Sequence, residues 1–305
     1  MSAEQSACSL LEGKTVKTRK ISSWLSTSLI VGAFGALLWF EHRRPLRRTV
    51  ESKHRRSGRN LAIAALGAAA LQIAERPLIE PLARLVDQRK WGLLKLVSIP
   101  SWLEVALAVI LLDYTLYVWH VLTHRIPFLW RFHVAHHVDL DLDATTALRF
   151  HFAELVLSVP WRACQIVMIG VSPQALSLWQ KSLILSILFH HSNVELPARV
   201  EQMLNRLIVT PRMHGIHHSM VKEETNSNWS SGLAIWDWLH GTLRLEVPQD
   251  EIIIGVPAYR EPEEVTLLKV LKLPFTEQRP TWGLPEGENP ARHGFPAYAP
   301  DQLLA

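Results

Sequence analysis

Five apolar stretches, at residues 24–40, 61–74, 102–119, 155–171 and 175–189, constrain this 305-residue chain more than any other feature. In lipid a segment must satisfy its own backbone N–H and C=O groups, which an α-helix does along its length. The first stretch, of 17 residues, reaches the lower limit for crossing a bilayer. The chain is 48% hydrophobic and carries 12 tryptophans, a composition that leans towards membrane. None of the stretches is uniformly greasy: the third contains Glu104 and Asp113, the fourth Pro160 and Arg162, the fifth Gln180 and Lys181. Charges at membrane depth are costly and face a bundle interior or a watery cavity, so these helices are expected to pack around something. Only Ser172, Pro173 and Gln174 separate the last two stretches, which read as a hairpin that spans or re-enters. The expectation is an all-α integral membrane protein with four to five membrane helices.

Charge orients them. Residues 41–60 hold Arg43, Arg44, Arg47, Arg48, Lys53, Arg55, Arg56 and Arg59 against Glu41 and Glu51. Such a block read alone is a nucleic-acid patch; between two apolar runs it is a cytoplasmic loop under the positive-inside rule, with no nucleic-acid partner. Lys14, Lys17, Arg19 and Lys20 imitate the charged end of a signal peptide, but no small-residue cleavage site accompanies them, and a retained helix is expected. By parity, the second stretch then exits, the third returns and the hairpin leaves and comes back. Residues 120–151 and the chain from His190 onward fall on one face, as a cytoplasmic helical cap. The expected domains are residues 1–100 (membrane helices and basic loop), 101–245 (catalytic) and 246–305 (a C-terminal cytoplasmic tail, irregular except near 265–273).

Eight of the 15 histidines form three groups: His120-Val-Leu-Thr-His124, His133-Val-Ala-His136-His137 and His214-Gly-Ile-His217-His218. Spacings of three and four place side chains on one helical face, one turn apart, as a metal grip requires. Any single pair is better read as solvated or satisfied in a core. Two H-x-x-H-H triplets, however, have a chance likelihood on the order of one in a thousand. Eight imidazoles exceed the three or four ligands of one zinc site, so two metals are implied. No H-E-x-x-H occurs, which removes the zincin metalloprotease layout. With only Cys8 and Cys164, an iron–sulfur cluster or disulfide framework is excluded. Imidazole suits iron, copper, zinc and nickel alike. Iron is favoured because two open, nitrogen-rich metals beside a lipid cavity suit O₂ activation.

With their surroundings, these boxes resemble the fatty acid hydroxylase/sterol desaturase family. The likeness runs from about Asp113 to Thr242 and includes Asp113-Tyr114, Leu129-Trp130-Arg131-Phe132, Thr210-Pro211-Arg212-Met213, Trp236-Asp237 and Gly241-Thr242. It implies a helical membrane fold, a di-iron centre, O₂ as oxidant and electrons from a separate donor protein. By motif it implies His120, His124, His133, His136, His137, His214, His217 and His218 as ligands, and His191, in His191-Ser192-Asn193, as the family's lone histidine. Two departures stand out. His190 is an additional histidine, and Phe152-Ala153 replaces the usual Pro-Leu between His151 and Glu154. The pair His151 and Glu154 reads as a buttress of the ligands or a helix cap, with direct ligation the less favoured alternative. Asp113 reads as an orienting carboxylate or an interface marker, and His240 as a buttress or a surface residue. His42, His54 and His293 are expected to be solvated, and Trp119, Trp130 and Trp236 to be interface anchors or core.

The function expected is O₂-dependent oxidation of a lipid, fatty acyl, sterol or related: hydroxylation if oxygen is returned to the carbon, a double bond if a second hydrogen leaves. The cofactor performs the hard step while the protein positions the lipid and excludes water. The rival is a membrane metal-binding or transport protein, which would want ligands along a path inside the helices rather than beyond their ends on one side. A metal-dependent lipid hydrolase is a third class. The terminal Asp301-Gln302-Leu303-Leu304-Ala305 carries no retrieval signal, which favours a bacterial inner membrane over endoplasmic reticulum.

Overall fold

The five apolar stretches lie in helices of the computed structural model, apart from Gly170 and Val171 at the end of the fourth; the structure describes residues 23–284 and residue 290. Cys8, the N-terminal lysines and arginine, His293 and the last five residues lie outside the described residues. Twelve α-helices occur among those described: α1 (Ser23–Arg43), α2 (Lys53–Ala70), α3 (Arg76–Arg89), α4 (Ser101–Arg125), α5 (Pro127–His137), α6 (Phe152–Ile169), α7 (Pro173–His191), α8 (Ala198–Leu204), α9 (Pro211–His217), α10 (Lys222–Thr225), α11 (Ile235–Leu239) and α12 (Leu267–Lys272). Among the described residues there are isolated β-bridges but no strand. Four segments are long and apolar enough to cross a membrane: Trp24–Arg43, Lys53–Lys95, Ser101–Arg125 and Phe152–Ile169. The expected fifth, α7, has the length but not the apolarity, because it carries Gln180, Lys181 and two terminal histidines.

The second span differs most from its expected form. The sequence suggests a short stretch ending at 74, before Glu75-Arg76-Pro77. Instead a π-helical turn, Leu71–Glu75, joins α2 to α3 without a break. The wider turn leads directly into Pro77, which has no N–H to give to the preceding turn, and the helix continues past it. Lys90 then closes the helix in the left-handed conformation. At this end Gly92 meets Gly170, the residue that ends α6. A Cβ on Gly92 would stand 2.3 Å from the Gly170 nitrogen, so neither loop has room for a side chain.

Helix α3 packs on α6, and α4 on α7, around a core that includes Ile79, Ala83, Val86, Leu112, Ile166 and Trp179. Helix α1 packs on α7 and leaves Trp24, Leu29, Val31 and Trp39 exposed, as a lipid-facing helix would. Helix α4 runs towards the histidines, α6 away from them and α7 back, so the groups distant in sequence meet at one end of the bundle.

The basic block is not a solvated loop. Arg47, Arg56 and Arg59 are buried, while Arg43, Arg44, Arg48 and Arg55 are exposed. Arg56 donates to Asp139 (3.1 Å) and pairs with Asp143; Arg59 reaches Asp139 (3.1 Å) and Glu51 (2.7 Å). These arginines tie the start of α2 to the Asp139-Leu-Asp141-Leu-Asp143 run that follows the second histidine box. Burial alone would raise the Asp139 carboxyl, but Arg56, Arg149 and Arg59 outweigh it and pull it down to about 2. Residues 246–284, expected to form an irregular tail, are mostly irregular in backbone yet packed. Val256, Tyr259, Val265 and Val270 join Val134, Ala135 and Val138 of the α5 region in a second core.

Candidate metal centre

The eight histidines singled out by their spacing, with His191 singled out by the resemblance, converge into two groups. His120, His124, His133, His137 and His217 form the first; His136, His191, His214 and His218 form the second. Within each group, one ring nitrogen per residue lies within 4.8 Å of all the others. The groups adjoin: the His137 and His218 rings stack at 4.3 Å. Eight of the nine are buried and His124 is half-buried.

Local structure explains the convergence. His120 and His124 lie one turn apart near the end of α4, and Pro127, at the first turn of α5, starts the helix that carries the second box. His214 and His217 lie on α9, capped by the Thr210 hydroxyl accepting from the Met213 N–H (3.5 Å), and His218 ends that helix. His191 closes α7. Most of these histidines therefore lie within the last turns of their helices rather than beyond the ends, which corrects the sequence-based expectation.

Three histidines of the first group are held by their Nδ1 atoms. His120 Nδ1 donates to the Trp229 carbonyl (2.7 Å), His217 Nδ1 to the Ser227 carbonyl (2.8 Å), and His133 Nδ1 to Glu154 Oε1 (2.8 Å). A carbonyl can only accept, so Nδ1 carries the proton and Nε2 the lone pair. The Nε2 atoms of His133, His137 and His217 are buried without a partner. Unpartnered polar atoms are rare inside proteins, and a cation facing these lone pairs would satisfy them.

In the second group the Nε2 atoms point at one another: His191 to His136 at 3.1 Å, His214 to His191 at 3.0 Å, and His218 to His214 at 3.1 Å. His191 Nδ1 already donates to the Ile187 carbonyl (2.8 Å), so its Nε2 has only a lone pair to offer two neighbours. The Nδ1 atoms of His136, His214 and His218 are buried and have no hydrogen-bond partner among the described residues. Nitrogens held about 2.0–2.1 Å from one ion at near-right angles stand about 3 Å apart, as these do. The donor set thus fits one metal per group. Burial holds His136, His137, His214 and His218 well below the usual histidine range, and neighbouring imidazoles add to this; His217 falls to about 3, against the opposing bond to Ser227. Neutral imidazole is the ligating form.

The surroundings settle the remaining candidates. His151 caps α6, its Nδ1 accepting from the Ala153 N–H (3.1 Å) and its Nε2 donating to the Leu271 carbonyl (3.1 Å), which leaves it no lone pair for a metal. Glu154 is the buttress, through His133. Among the described residues Asp113 makes no hydrogen bond or ion pair with a histidine. It accepts from the Leu233 N–H (3.0 Å) and Trp236 Nε1 (2.7 Å), while Asp237 accepts from the Trp229 and Ser230 N–H groups (both 2.9 Å). Together the two aspartates fix the loop whose carbonyls orient His120 and His217. His240 is exposed and stacks on Tyr117 at 5.0 Å; His42 and His54 are exposed. Trp130 packs against His124 at 4.9 Å, closing the outer side. His190 is buried beside His214, its ring 4.2 Å away and the Ser231 backbone beside it, yet it falls in neither group. Sequence reasoning missed the Arg56 network, although the alternating Asp139, Asp141 and Asp143 were a signal for it. It also missed the carbonyls of Ile187, Ser227 and Trp229, which no side-chain pattern reveals.

A cavity of about 500 Å³ opens from the histidines into the bundle. Its walls are mainly apolar, among them Leu71, Leu116, Leu155, Trp179 and Leu183, and His120, His133, His136, His190, His191 and His214 line one end.

Residues 105–242 match the family model described as fatty acid hydroxylase. The chain is 33% identical over 158 residues to ornithine lipid hydroxylase OlsE of Rhizobium tropici, covering 52% of this chain and 46% of that relative. It is 26% identical over 171 residues to alkylglycerol monooxygenase of Homo sapiens, covering 54% of this chain and 36% of the relative. It is 26% identical over 143 residues to cholesterol 25-hydroxylase of Mus musculus, covering 46% of this chain and 47% of the relative. The chain thus spans between about a third and a half of the length of these relatives. No solved structure matches the chain.

Proposed function

We propose that this chain, whose residues 105–242 match the fatty acid hydroxylase family model, is a membrane-bound oxidoreductase that uses O₂ to hydroxylate or desaturate a lipid at a di-iron centre. The observation that carries the reading is the convergence of nine histidines into two adjacent groups at the end of an apolar cavity. His120, His124, His133, His137 and His217 would hold one iron, and His136, His191, His214 and His218 the other. Two irons bound there supply activation of O₂ and removal of hydrogen from an unactivated C–H bond.

The chain's own residues do the rest. Glu154 and the carbonyls of Trp229, Ser227 and Ile187 hold their partner Nδ1 protons, keeping each Nε2 lone pair aimed inward. Leu116, Leu155 and Leu183 receive the lipid and exclude water, and Trp130 shields the opposite side. Electrons come from a separate donor protein docking on the face that carries the histidines, which we assign to the cytoplasm. An inner bacterial membrane fits the similarity to the Rhizobium protein. A transport role fits less well, because the ligands form two closed groups rather than a path along the bundle.

The test is to express the chain in cells lacking it, extract lipids and compare masses. A lipid heavier by one oxygen atom, or lighter by two hydrogens, appearing only with the intact chain supports the reading. An unchanged lipid profile, with no O₂ consumed when the iron-loaded protein receives reductant and the cell's own lipids, contradicts it.

A further inference from the structure

The far part of the cavity carries two charges that the metal centre does not use. Arg162 of α6 and Glu75 of the π-helical turn both line it, together with Gln180. Arg162 lies over the Trp179 ring at 4.3 Å, and its Nε is buried without a hydrogen-bond partner. Glu75 is half-buried and its charge acts on Arg162, but among the described residues neither side chain closes an ion pair. Both sit within spans apolar enough to cross a membrane. Open charges at that depth are costly, and they persist where they face a ligand or a pathway.

We propose that Arg162 and Glu75 form a clamp for one polar group of the lipid, a neutral group that both donates and accepts, such as a hydroxyl or an amide. This rests on the lipid-oxidation reading and deepens it. Arginine only donates, and an ionised carboxylate only accepts, so a hydroxyl placed between them satisfies both. A neutral group also leaves the net charge of the cavity unchanged, where an added ion would not. The clamp sets position as well. Glu154, at the metal end, and Arg162 are eight residues apart on α6, about 12 Å along the helix axis. The lipid carbon presented to the histidines is therefore held about one such length from the clamped group.

The probes are an ω-brominated long-chain alcohol, its methyl ether and the matching bromoalkane. Bromine quenches tryptophan, and Trp119 and Trp179 line the cavity. The ether accepts from Arg162 but has nothing to donate to Glu75. The protein in nanodiscs is expected to bind the alcohol about tenfold more tightly than the ether, as one hydrogen bond to a charged group provides. The double variant Arg162→Met, Glu75→Leu keeps the cavity neutral and apolar. It should retain the iron content and the binding of the bromoalkane while losing the preference for alcohol over ether. Arg162→Lys with Glu75 intact should keep that preference. Equal binding of alcohol and ether by the unmodified protein, or a preference that survives in the double variant, overturns the clamp alone. Absence of binding by all three probes counts instead against the lipid-oxidation reading.

Discussion

Replacing Arg56 by Gln removes the centre of the buried ion network beneath the second histidine box. Arg56 is fully buried and donates to Asp139 (3.1 Å), the Asp141 carbonyl (3.2 Å) and Thr146 Oγ1 (3.1 Å), besides pairing with Asp143. Asp139 keeps Arg59 (3.1 Å) and Asn60 (2.8 Å) without it, whereas Asp143 keeps only Thr145 and the backbone around it. Breaking one side of a buried pair costs about 3–5 kcal/mol, and the retained partners of Asp139 place this case at the lower end. In a chain of this size, whose unfolding entropy is about 0.6 kcal/mol/K, that lowers the melting midpoint by roughly 5 °C. Tryptophan fluorescence of the detergent-solubilised protein during heating measures it. His136 and His137 stand three and two residues before Asp139, so iron per chain should fall in the same variant. A midpoint within about 2 °C of the unmodified protein, with full iron, would show that the network does not hold the box.

Glu154→Gln keeps the shape of the His133 partner but removes its charge, and should weaken iron affinity about 10–100-fold in chelator competition while the protein still folds; unchanged affinity would make Glu154 dispensable. His191→Ala should cost a large share of bound iron, and His190→Ala little, because only His191 has its Nε2 among the second group. The reverse order would mean that the end of α7 turns the other histidine inward.

Much of this site was legible because histidine spacing is periodic on helices. His133, His136 and His137 declare a shared face, and helix parity alone placed 120–151 and 190 onward at one end. The lone His191 lacks such a repeat and came through its resemblance to the family pattern. What was hidden depends on tertiary contact. The basic block has the same composition whether solvated or paired, and only the fold brings Arg56 and Arg59 to Asp139. The continuity of α2 with α3 was hidden by Pro77, because sequence marks a breaker but not the π-helical turn that accommodates it. Glu75 and Arg162 are 87 positions apart, and only the cavity relates them.

The central claim is that nine histidines hold two irons, and iron per chain, counted together with iron K-edge X-ray absorption, tests it most directly. The unmodified protein from iron-supplied cells should contain two irons with light-atom ligation rich in imidazole nitrogen and no sulfur, and His214→Ala should fall towards one. A single metal per chain, sulfur ligation, or two irons undisturbed by loss of His214 would contradict the account.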